Sequence, residues 1–399
     1  MAGCPPEGNL VEYDGRLYLL KGQSYKGWRM ETDRLVVLVG TQKGLFRLEA
    51  DAAGADWRIE GPLIAGYEIL HAWLDPRRPA VAYAAVVHLI WGAHIYRSGD
   101  YGRTWDPLPA RPVHPAGRYP EALHAVWYLA PGLAGEPDTL YAGIDPAGLF
   151  VSRDGGRTWQ PLDGLNLHPT RDTWEPAKGG FSVHSIHQCP KQPDRLYAAV
   201  SAGGVYRSDD GGGSWRPINR GVRAENLPER FAESGHNVHR LVVHPTDPDR
   251  LYRQCYNGVY RSDDGGGSWR EISAGLPSDF GYALATEVVD PDTVWVIPIA
   301  SNHLRTTPDG RLRVYRSRDA GAGWTALTDG LPQQHAYITV LREALDLDQR
   351  PGVTGAYFGT SSGHVFASRD GGDSWRCIAE FLPRILSVKA AIIPARGER

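Results

Sequence analysis

One stretch decides how this chain folds: Ser208-Asp209-Asp210-Gly211-Gly212-Gly213-Ser214-Trp215. It fits the pattern Ser-x-Asp-x-Gly-x-Ser/Thr-Trp, in which x stands for any residue, and that pattern recurs along the sequence. The closing tryptophans of successive copies lie 54, 56, 54, 55 and 51 residues apart. A period of this length, with one motif in each period, predicts a radial or solenoidal array. The copies are Ser98–Trp105, Ser152–Trp159, Ser208–Trp215, Ser262–Trp269, Ser317–Trp324 and Ser368–Trp375.

The motif predicts a tight hairpin loop. Its Asp and Ser side chains can bond backbone groups a few residues away, and its glycines permit a positive φ. Strand-like runs that end in an aromatic residue and Arg precede several copies, as in Val205-Tyr206-Arg207. The fifth copy has Gly323 in place of Ser or Thr, and a degenerate seventh copy is suggested by Asp51, Gly54 and Trp57.

The motif resembles the Asp box, or BNR repeat, of a β-propeller family, and the resemblance covers nearly the whole chain. It implies an all-β propeller in which each box joins the third and fourth strands of a blade. The same box occurs in sialidases, xyloglucan-cleaving enzymes, sorting-receptor ectodomains and photosystem assembly factors. The resemblance therefore implies the fold and little about activity, and we interpret the boxes as structural.

Composition agrees with many short strands and narrows the function classes. The 399 residues include 47 Gly and 30 Pro, and 10% are aromatic. A formal net charge of −3 provides no basic field for nucleic acid, and no apolar run is long enough to span a membrane. The four cysteines lack a Cys-x-x-Cys spacing and no signal peptide is visible, so we expect a cytoplasmic, reduced protein.

The order of strand-like segments predicts seven blades. Residues 1–34 should form an N-terminal hairpin extension, packed on the propeller, because Asp14-Gly15 separates two strand-like runs. Residues 35–399 should form a single seven-bladed propeller. Its first blade has three strands within 35–62, and the apolar strand at 384–393 should complete it and remove the exposed edge. Six four-stranded units lie between, at about 67–108, 121–163, 181–218, 237–273, 281–328 and 336–378.

A ligand site is expected on one face of the ring. The box loops are short and uniform, whereas the blade-to-blade connections and one loop between second and third strands are long, and long loops often carry function. We call the face with these long segments the upper face and the opposite one the box face. We predict that the upper face binds a small molecule or a carbohydrate through Trp91, Arg118, Tyr119, Trp174, Arg230, His236, His303, Arg305 and Tyr337.

The positions of several histidines predict a metal site on the same face. Innermost strands line the central channel, and aligning the units sets His184 level with His239, with His71 and His124 within one residue of that level. Imidazoles that converge there would bind Fe, Zn or Cu. In this constellation alone, the chain looks like the four-histidine iron centre of carotenoid-cleaving oxygenase propellers. We predict these four residues as ligands of a transition metal; the alternative is that they bond the backbone of neighbouring blades.

Three functions follow from these features. The first and favoured one is a metal- or ligand-binding propeller, with a metal-dependent reaction on a small molecule. The second is a glycoside hydrolase that uses paired carboxylates, and the third is a non-catalytic scaffold for a protein partner. The chain lacks the Arg-Ile-Pro signature of sialidases near its N-terminus, so sialidase activity is not expected. The candidate catalytic residues are Glu68, Glu121, Glu233 and Tyr282.

Overall fold

Each box folds into the predicted hairpin through its own side chains. The Ser208 hydroxyl donates to the Asp210 carboxylate (2.7 Å) and accepts from the backbone N–H of Gly212 (2.9 Å). Asp210 also accepts from the backbone N–H of Ser214 (2.9 Å) and from its hydroxyl (2.6 Å). Gly212 has a φ of +96°, a conformation that side chains with a Cβ rarely adopt. The chain therefore reverses within eight residues chiefly through bonds of its own, and the backbone N–H of Gly211 adds one bond to the carbonyl of Asp194 (2.8 Å).

The two irregular boxes keep the turn with fewer bonds. Gly323 has no hydroxyl, yet its backbone N–H still donates to the Asp319 carboxylate (2.8 Å). In the degenerate copy, Asp51 accepts from the backbone N–H of Ala55 (3.1 Å), and the Trp57 ring packs edge-on against Tyr357. The feature that all these copies share is therefore an Asp carboxylate that accepts a hydrogen bond from a backbone N–H.

The computed structural model describes residues 10–13, 16–19, 33–115, 122–176, 180–244, 246–350 and 353–394. Within these ranges nearly all regular structure is strand, and no helix is long and apolar enough to cross a membrane. A four-residue helix, α1 (Asp163–Asn166), and two 3₁₀ turns (Pro169–Thr173 and Pro308–Gly310) lie in the connections.

The strands before the middle of the chain form a hairpin and the first three blades. The hairpin consists of β1 (Leu10–Tyr13) and β2 (Arg16–Leu19), which pair with each other. Its packing against the ring stays a prediction. Blade 1 begins with β3 (Arg34–Thr41), β4 (Gly44–Asp51) and β5 (Arg58–Leu63). Blade 2 has β6 (Glu68–Leu74), β7 (Ala82–His88), β8 (Gly92–Ser98) and β9 (Asp106–Pro107). Blade 3 has β10 (Ala125–Pro131), β11 (Leu140–Asp145), β12 (Gly148–Ser152) and β13 (Gln160–Pro161).

Four further blades follow in the same order, and one strand remains at the end of the chain. Blade 4 has β14 (Val183–Cys189), β15 (Gln192–Val200), β16 (Gly204–Ser208) and β17 (Arg216–Pro217); blade 5 has β18 (Val238–Val243), β19 (Leu251–Cys255), β20 (Gly258–Ser262) and β21 (Arg270–Glu271); blade 6 has β22 (Gly281–Thr286), β23 (Val294–Pro298), β24 (Val314–Ser317) and β25 (Thr325–Leu327); blade 7 has β26 (Leu345–Arg350), β27 (Val353–Gly359), β28 (Val365–Ser368) and β29 (Arg376–Ala379). The last strand is β30 (Ile385–Ile393).

Seven four-stranded antiparallel sheets make the ring, which confirms the predicted seven-bladed propeller. In each complete blade the strands pair in sequence order, and the first is innermost. Apolar side chains fill the space between adjacent blades: Tyr197 and Val205 of blade 4 share a buried cluster with Tyr260 of blade 5. Burying each such side chain contributes about 1.5–3 kcal/mol. The ring is therefore held by contacts between blades as well as by ladders within them.

The final strand closes the ring at the first blade, as the sequence predicts. β30 pairs antiparallel with β3 along its whole length, so that Ile393 lies opposite Arg34 and Ile385 opposite Thr41. Its Val388 and Ile385 are fully buried in a cluster that includes Phe358 of blade 7. Closure thus joins the two ends of the chain in one sheet and covers the edges that blades 1 and 7 would otherwise expose.

The closing strand can be tested by moving it in the sequence. Because Ile393 lies opposite Arg34, a linker of about three to five residues can join residues 384–394 to the start of a chain of residues 33–383. We expect this permuted chain to melt at the same temperature as an unpermuted chain of residues 33–394, in a scanning calorimeter. A chain of residues 33–383 lacks β30 and should lose its cooperative transition; equal melting of all three chains would contradict the closure.

Candidate functional site

The inner strands of six successive blades share a β-bulge near their upper ends. In blades 1 to 6 the register with the neighbouring strand shifts by one residue at equivalent positions, and in blade 1 the inner strand is β30. A bulge adds one residue to one strand and re-aims the side chains around it, and bulges are common next to functional sites. The bulged residues are Leu386, Leu70, Trp127, Ser185, His239 and Tyr282.

These bulges correct the predicted alignment of the histidines. His239 is the bulged residue of its strand, whereas His184 precedes the bulge and is equivalent to Val238. His71 follows the bulge of blade 2 and is equivalent to Arg240, and His124 lies before β10 begins. The predicted common level is therefore wrong, because one extra residue moves a side chain to the other face of a strand. Tyr282 lies level with His239, because each is the bulged residue of its strand.

Two of the predicted metal ligands bond the next blade instead of facing one another. The His184 ring is buried, and its Nε2–H donates to the carbonyl of Val238 in blade 5 (3.1 Å). The His239 ring is also buried, and its Nδ1–H donates to the carbonyl of Gly281 in blade 6 (2.6 Å). Each of these bonds joins the inner strands of adjacent blades, which is the alternative role foreseen for them.

The other two predicted ligands differ from each other. The His71 ring stacks on Tyr128 at 4.3 Å between centroids, and its Nδ1 accepts from the backbone N–H of Leu129 in blade 3 (3.3 Å). The His124 side chain is 66% exposed, 3.4 Å from the Asp145 carboxylate. The four rings are thus not brought together. Across the described ranges, no group of three or more His, Cys, Asp or Glu side chains is arranged to hold a metal ion.

Burial keeps the channel imidazoles neutral. Loss of water lowers the pKa of His71 and of His239 to about 3, and it lowers the pKa of His187 to about 4. The His184 pKa is also well below its usual value, again chiefly through burial, with Arg342 nearby as a second cause. A neutral imidazole has one donor and one acceptor, so these rings can serve as fixed hydrogen-bonding groups between blades.

A buried charge cluster lies in the channel beside these rings. The Glu343 carboxylate pairs with the Arg240 guanidinium and lies 3.3 Å from the Lys389 ammonium. The His71 Nε2 atom is 3.8 Å from the same carboxylate. These cations hold the pKa of Glu343 far below its usual range, against the opposite effect of burial. Sequence reasoning missed this cluster, although a Lys within the apolar run of β30 was a visible indication.

One channel cation forms no ion pair with any carboxylate that the structure describes. Arg342 is only 9% exposed, and its guanidinium lies over the Trp127 ring at 5.5 Å. Burial lowers its pKa, while the Tyr282 hydroxyl and Glu343 act in the opposite direction. Its Nη1 atom is buried and makes no hydrogen bond within the described residues. Arg342 comes just before β26, so it lies at the upper mouth of the channel.

Exposed apolar side chains are concentrated on the upper face. In the described part of the chain, nine of the ten large hydrophobic residues that are exposed lie in its loops, and the tenth, Ile59, lies on the outer strand β5. Trp91 and Tyr337 are each 65% exposed. We call these nine residues the apolar rim: Leu89, Ile90, Trp91, Val113, Leu167, Phe231, Leu304, Tyr337 and Phe381.

The remaining predicted ligand-binding residues have mixed roles. Trp174 is buried, and its indole N–H donates to the Tyr206 hydroxyl (2.8 Å), so it anchors a loop. His236 is also buried and bonds the carbonyl of Ala232. The predicted residues that stay accessible on upper-face loops are Arg230, His303 and, in part, Arg305. Arg118, Tyr119 and the catalytic candidate Glu121 lie outside the described residues.

Two neighbouring loops, each of which carries an exposed carboxylate, touch beside blade 4. The Thr173 hydroxyl lies 2.9 Å from the Ser234 hydroxyl, which joins the blade 3–4 connection to the blade 4–5 connection. Asp172 and Glu233, the residues that precede these two hydroxyls, are both exposed. Partial burial raises the pKa of Glu233, and Arg220 opposes this rise. The other candidate, Glu68, is exposed at the start of β6 in blade 2.

Comparisons with known proteins agree with this architecture. The BNR/Asp-box repeat family model matches residues 150–161, which contain the second box. The chain is a β-propeller that carries Asp-box repeats. A xyloglucanase of Paenibacillus sp. is 28% identical over 217 residues, 48% of this chain and 20% of the relative. The photosystem II assembly lipoprotein Ycf48 of Synechococcus sp. (strain CC9902) is 26% identical over 155 residues, 38% of this chain and 40% of the relative.

A solved structure gives the same fold. The GH74 enzyme of Niastella koreensis has a TM-score of 0.52 and 16% sequence identity, and the match covers 88% of this chain and 65% of that one. The Asp-box propeller spans 20–24% of the length of the first xyloglucanases that it matches. These matches cover 48% of this chain, and the activity of the relatives does not follow from them.

The buried imidazoles predict an acid-sensitive ring. A histidine that is neutral in the fold and has its usual pKa when unfolded contributes stability above about pH 6.5, and this is lost as the pH falls towards the lowered value. Each such histidine should cost up to about 1.4 kcal/mol per pH unit in this window. We expect His239→Gln, which keeps a donor for Gly281, to reduce the slope of the unfolding free energy between pH 6.5 and 4.5. Urea unfolding at several pH values measures it.

The exposed residue His124 supplies the control. The His124→Gln variant removes an imidazole that water reaches in the folded chain, so the slope should equal that of the wild type. An unchanged slope in His239→Gln would mean that this ring takes up a proton in the fold. That result would contradict its assignment as a neutral bridge between blades 5 and 6.

Proposed function

We propose that this propeller is a carbohydrate-active protein that binds a polysaccharide of the xyloglucan class across its upper face. The apolar rim carries the proposal, because aromatic rings on an otherwise polar surface suit the apolar faces of sugar rings. Trp91 and Tyr337 are its most exposed large rings besides Phe381. The xyloglucanase relatives support the same substrate class.

The loop arrangement supports a platform that is fixed before the ligand arrives. Trp91 lies in the short loop between β7 and β8, where its ring is 6.3 Å from the His88 ring. The Tyr337 ring packs over Gly310, a position where any Cβ would touch the ring. Side chains that are held in place lose little entropy on binding, which favours affinity.

For hydrolysis we propose Glu233 as the proton donor and Asp172 as the second carboxylate. A general acid needs a pKa raised towards the working pH, and partial burial shifts the pKa of Glu233 in that direction. Glycoside hydrolysis uses two carboxyl groups on opposite sides of the scissile bond. The bond between Thr173 and Ser234 holds the loops of these two residues together.

Binding is tested with tamarind-type xyloglucan in affinity electrophoresis and calorimetry. We expect Trp91→Ala and Tyr337→Ala each to weaken binding about tenfold, since a ring at the centre of an interface is often worth more than 1 kcal/mol. The matched control is Ile59→Ala, which removes an exposed apolar side chain away from the upper face. If the wild type binds no polysaccharide, or if all three variants weaken alike, this function is wrong.

Catalysis is tested separately from binding. Reducing-end release from xyloglucan should fall about 100-fold or more in Glu233→Gln, with the binding constant retained. The control variant is Glu229→Gln, because Glu229 is exposed on the same loop. Retained hydrolysis in Glu233→Gln would remove Glu233 from the mechanism without affecting the binding proposal.

A scaffold function is the second candidate. The similarity to an assembly lipoprotein favours it, and the apolar rim would equally suit a protein partner. The two candidates differ in the binding experiment, because a scaffold should bind neither xyloglucan nor its oligosaccharides. The box face offers no comparable surface among the described residues, so both candidates place the ligand on the upper face.

A further inference from the structure

The position of Arg342 is unusual for a charged residue. It lies in the connection to blade 7, at the upper mouth of the channel, and only 9% of its surface is exposed. Its buried Nη1–H groups have no acceptor within the described residues. A buried cation whose N–H groups lack acceptors is destabilising in most proteins, so a bound ligand is one physical reason for its presence.

The surroundings of Arg342 are aromatic and carry excess positive charge. Its guanidinium lies over the Trp127 ring, and Tyr282 is close enough to affect its pKa. Both are bulged residues of inner strands, so the bulges aim their rings towards the mouth.

Deeper in the channel the charges do not balance. The two carboxylates, Glu343 and Asp346, are engaged by Arg240 and by the Lys389 ammonium, which lies 3.8 Å from Asp346. Within the described ranges, three channel cations thus meet two carboxylates, and Arg342 is the one that forms no ion pair with either of them.

We propose that Arg342 binds the carboxylate of a ring-containing organic acid, such as a sugar acid, at the upper mouth of the channel. A planar carboxylate matches the paired N–H groups of a guanidinium, and one negative charge balances the excess. The ring of the ligand would pack on Trp127. This site does not depend on the polysaccharide proposal, because it lies in the channel and uses charge instead of the apolar rim.

The experiment compares the binding of a sugar acid with that of its uncharged analogues. Calorimetry with D-glucuronate, its methyl ester, D-glucose and inorganic phosphate should give binding of glucuronate about 10- to 100-fold tighter than that of the ester or glucose. Phosphate should bind more weakly than glucuronate. In Arg342→Met the preference for the acid should disappear, whereas Arg376→Met, which removes an exposed Arg from the same blade, should keep it.

Thermal melting separates a binding role from a structural one. Replacing an unpaired buried cation with an apolar side chain of similar size is often neutral or stabilising. We therefore expect ligand-free Arg342→Met to melt at or above the wild-type temperature. If Arg342→Met does not fold, Arg342→Gln carries the same comparison, and Arg342→Lys should keep part of the preference.

Three results would overturn the proposal. The first is equal binding of glucuronate and its methyl ester by the wild type. The second is an undiminished preference in the variant that lacks the Arg342 charge. The third is tighter binding of phosphate than of glucuronate, which would assign the mouth to a different class of anion. Retained xyloglucan binding alongside any of these results would leave the proposed function standing and remove only this site.

Discussion

Inner strands of adjacent blades approach each other at the axis without forming a ladder, and this constraint governs the centre of the molecule. Backbone groups at that contact need partners from side chains, because water is largely excluded. Neutral imidazoles supply them: His184 reaches the carbonyl of Val238, and His187 reaches that of Leu241 (3.0 Å). Each ring therefore fills the space between two inner strands and forms a hydrogen bond across it. Burial maintains the neutral form of the imidazole.

The point where the ring closes combines this constraint with buried charge. The Glu343 carbonyl accepts from the backbone N–H of Val388 in the closing strand (2.8 Å), and its carboxylate meets Lys389 of the same strand and Arg240 of blade 5. Buried ion pairs often add little net stability, since desolvation offsets the attraction. Their geometry is demanding, however, and β30 in a shifted register would move Lys389 away from Glu343 and Asp346. The cluster thus favours one register of closure over others.

The sequence predicted the features whose causes are local. A box carries its own turn within eight residues, so the copies could be counted, and the unpartnered strand at the end of the chain predicted the closure. The bulges could not be found in this way. Leu386, Leu70, Trp127, Ser185, His239 and Tyr282 occupy equivalent positions, yet they include five different residue types. A bulge depends on how its strand fits the second strand and the neighbouring blade. The bulges shift the strand register by one residue, so the histidines do not lie at the common level that was expected.

The apolar rim and the channel mouth, both on the upper face, differ in the ligand chemistry that they suit. The apolar rim consists of exposed side chains on separate loops, and it suits a long neutral ligand that spreads over many weak contacts. The mouth holds one buried cation between aromatic rings, and it suits a compact ligand with a single negative charge. A neutral polysaccharide gains nothing from Arg342, and a small acid gains little from the rim. A ligand that bears both a sugar chain and an acidic group would use both surfaces, which makes acidic side groups on the polysaccharide the chemical feature that couples them.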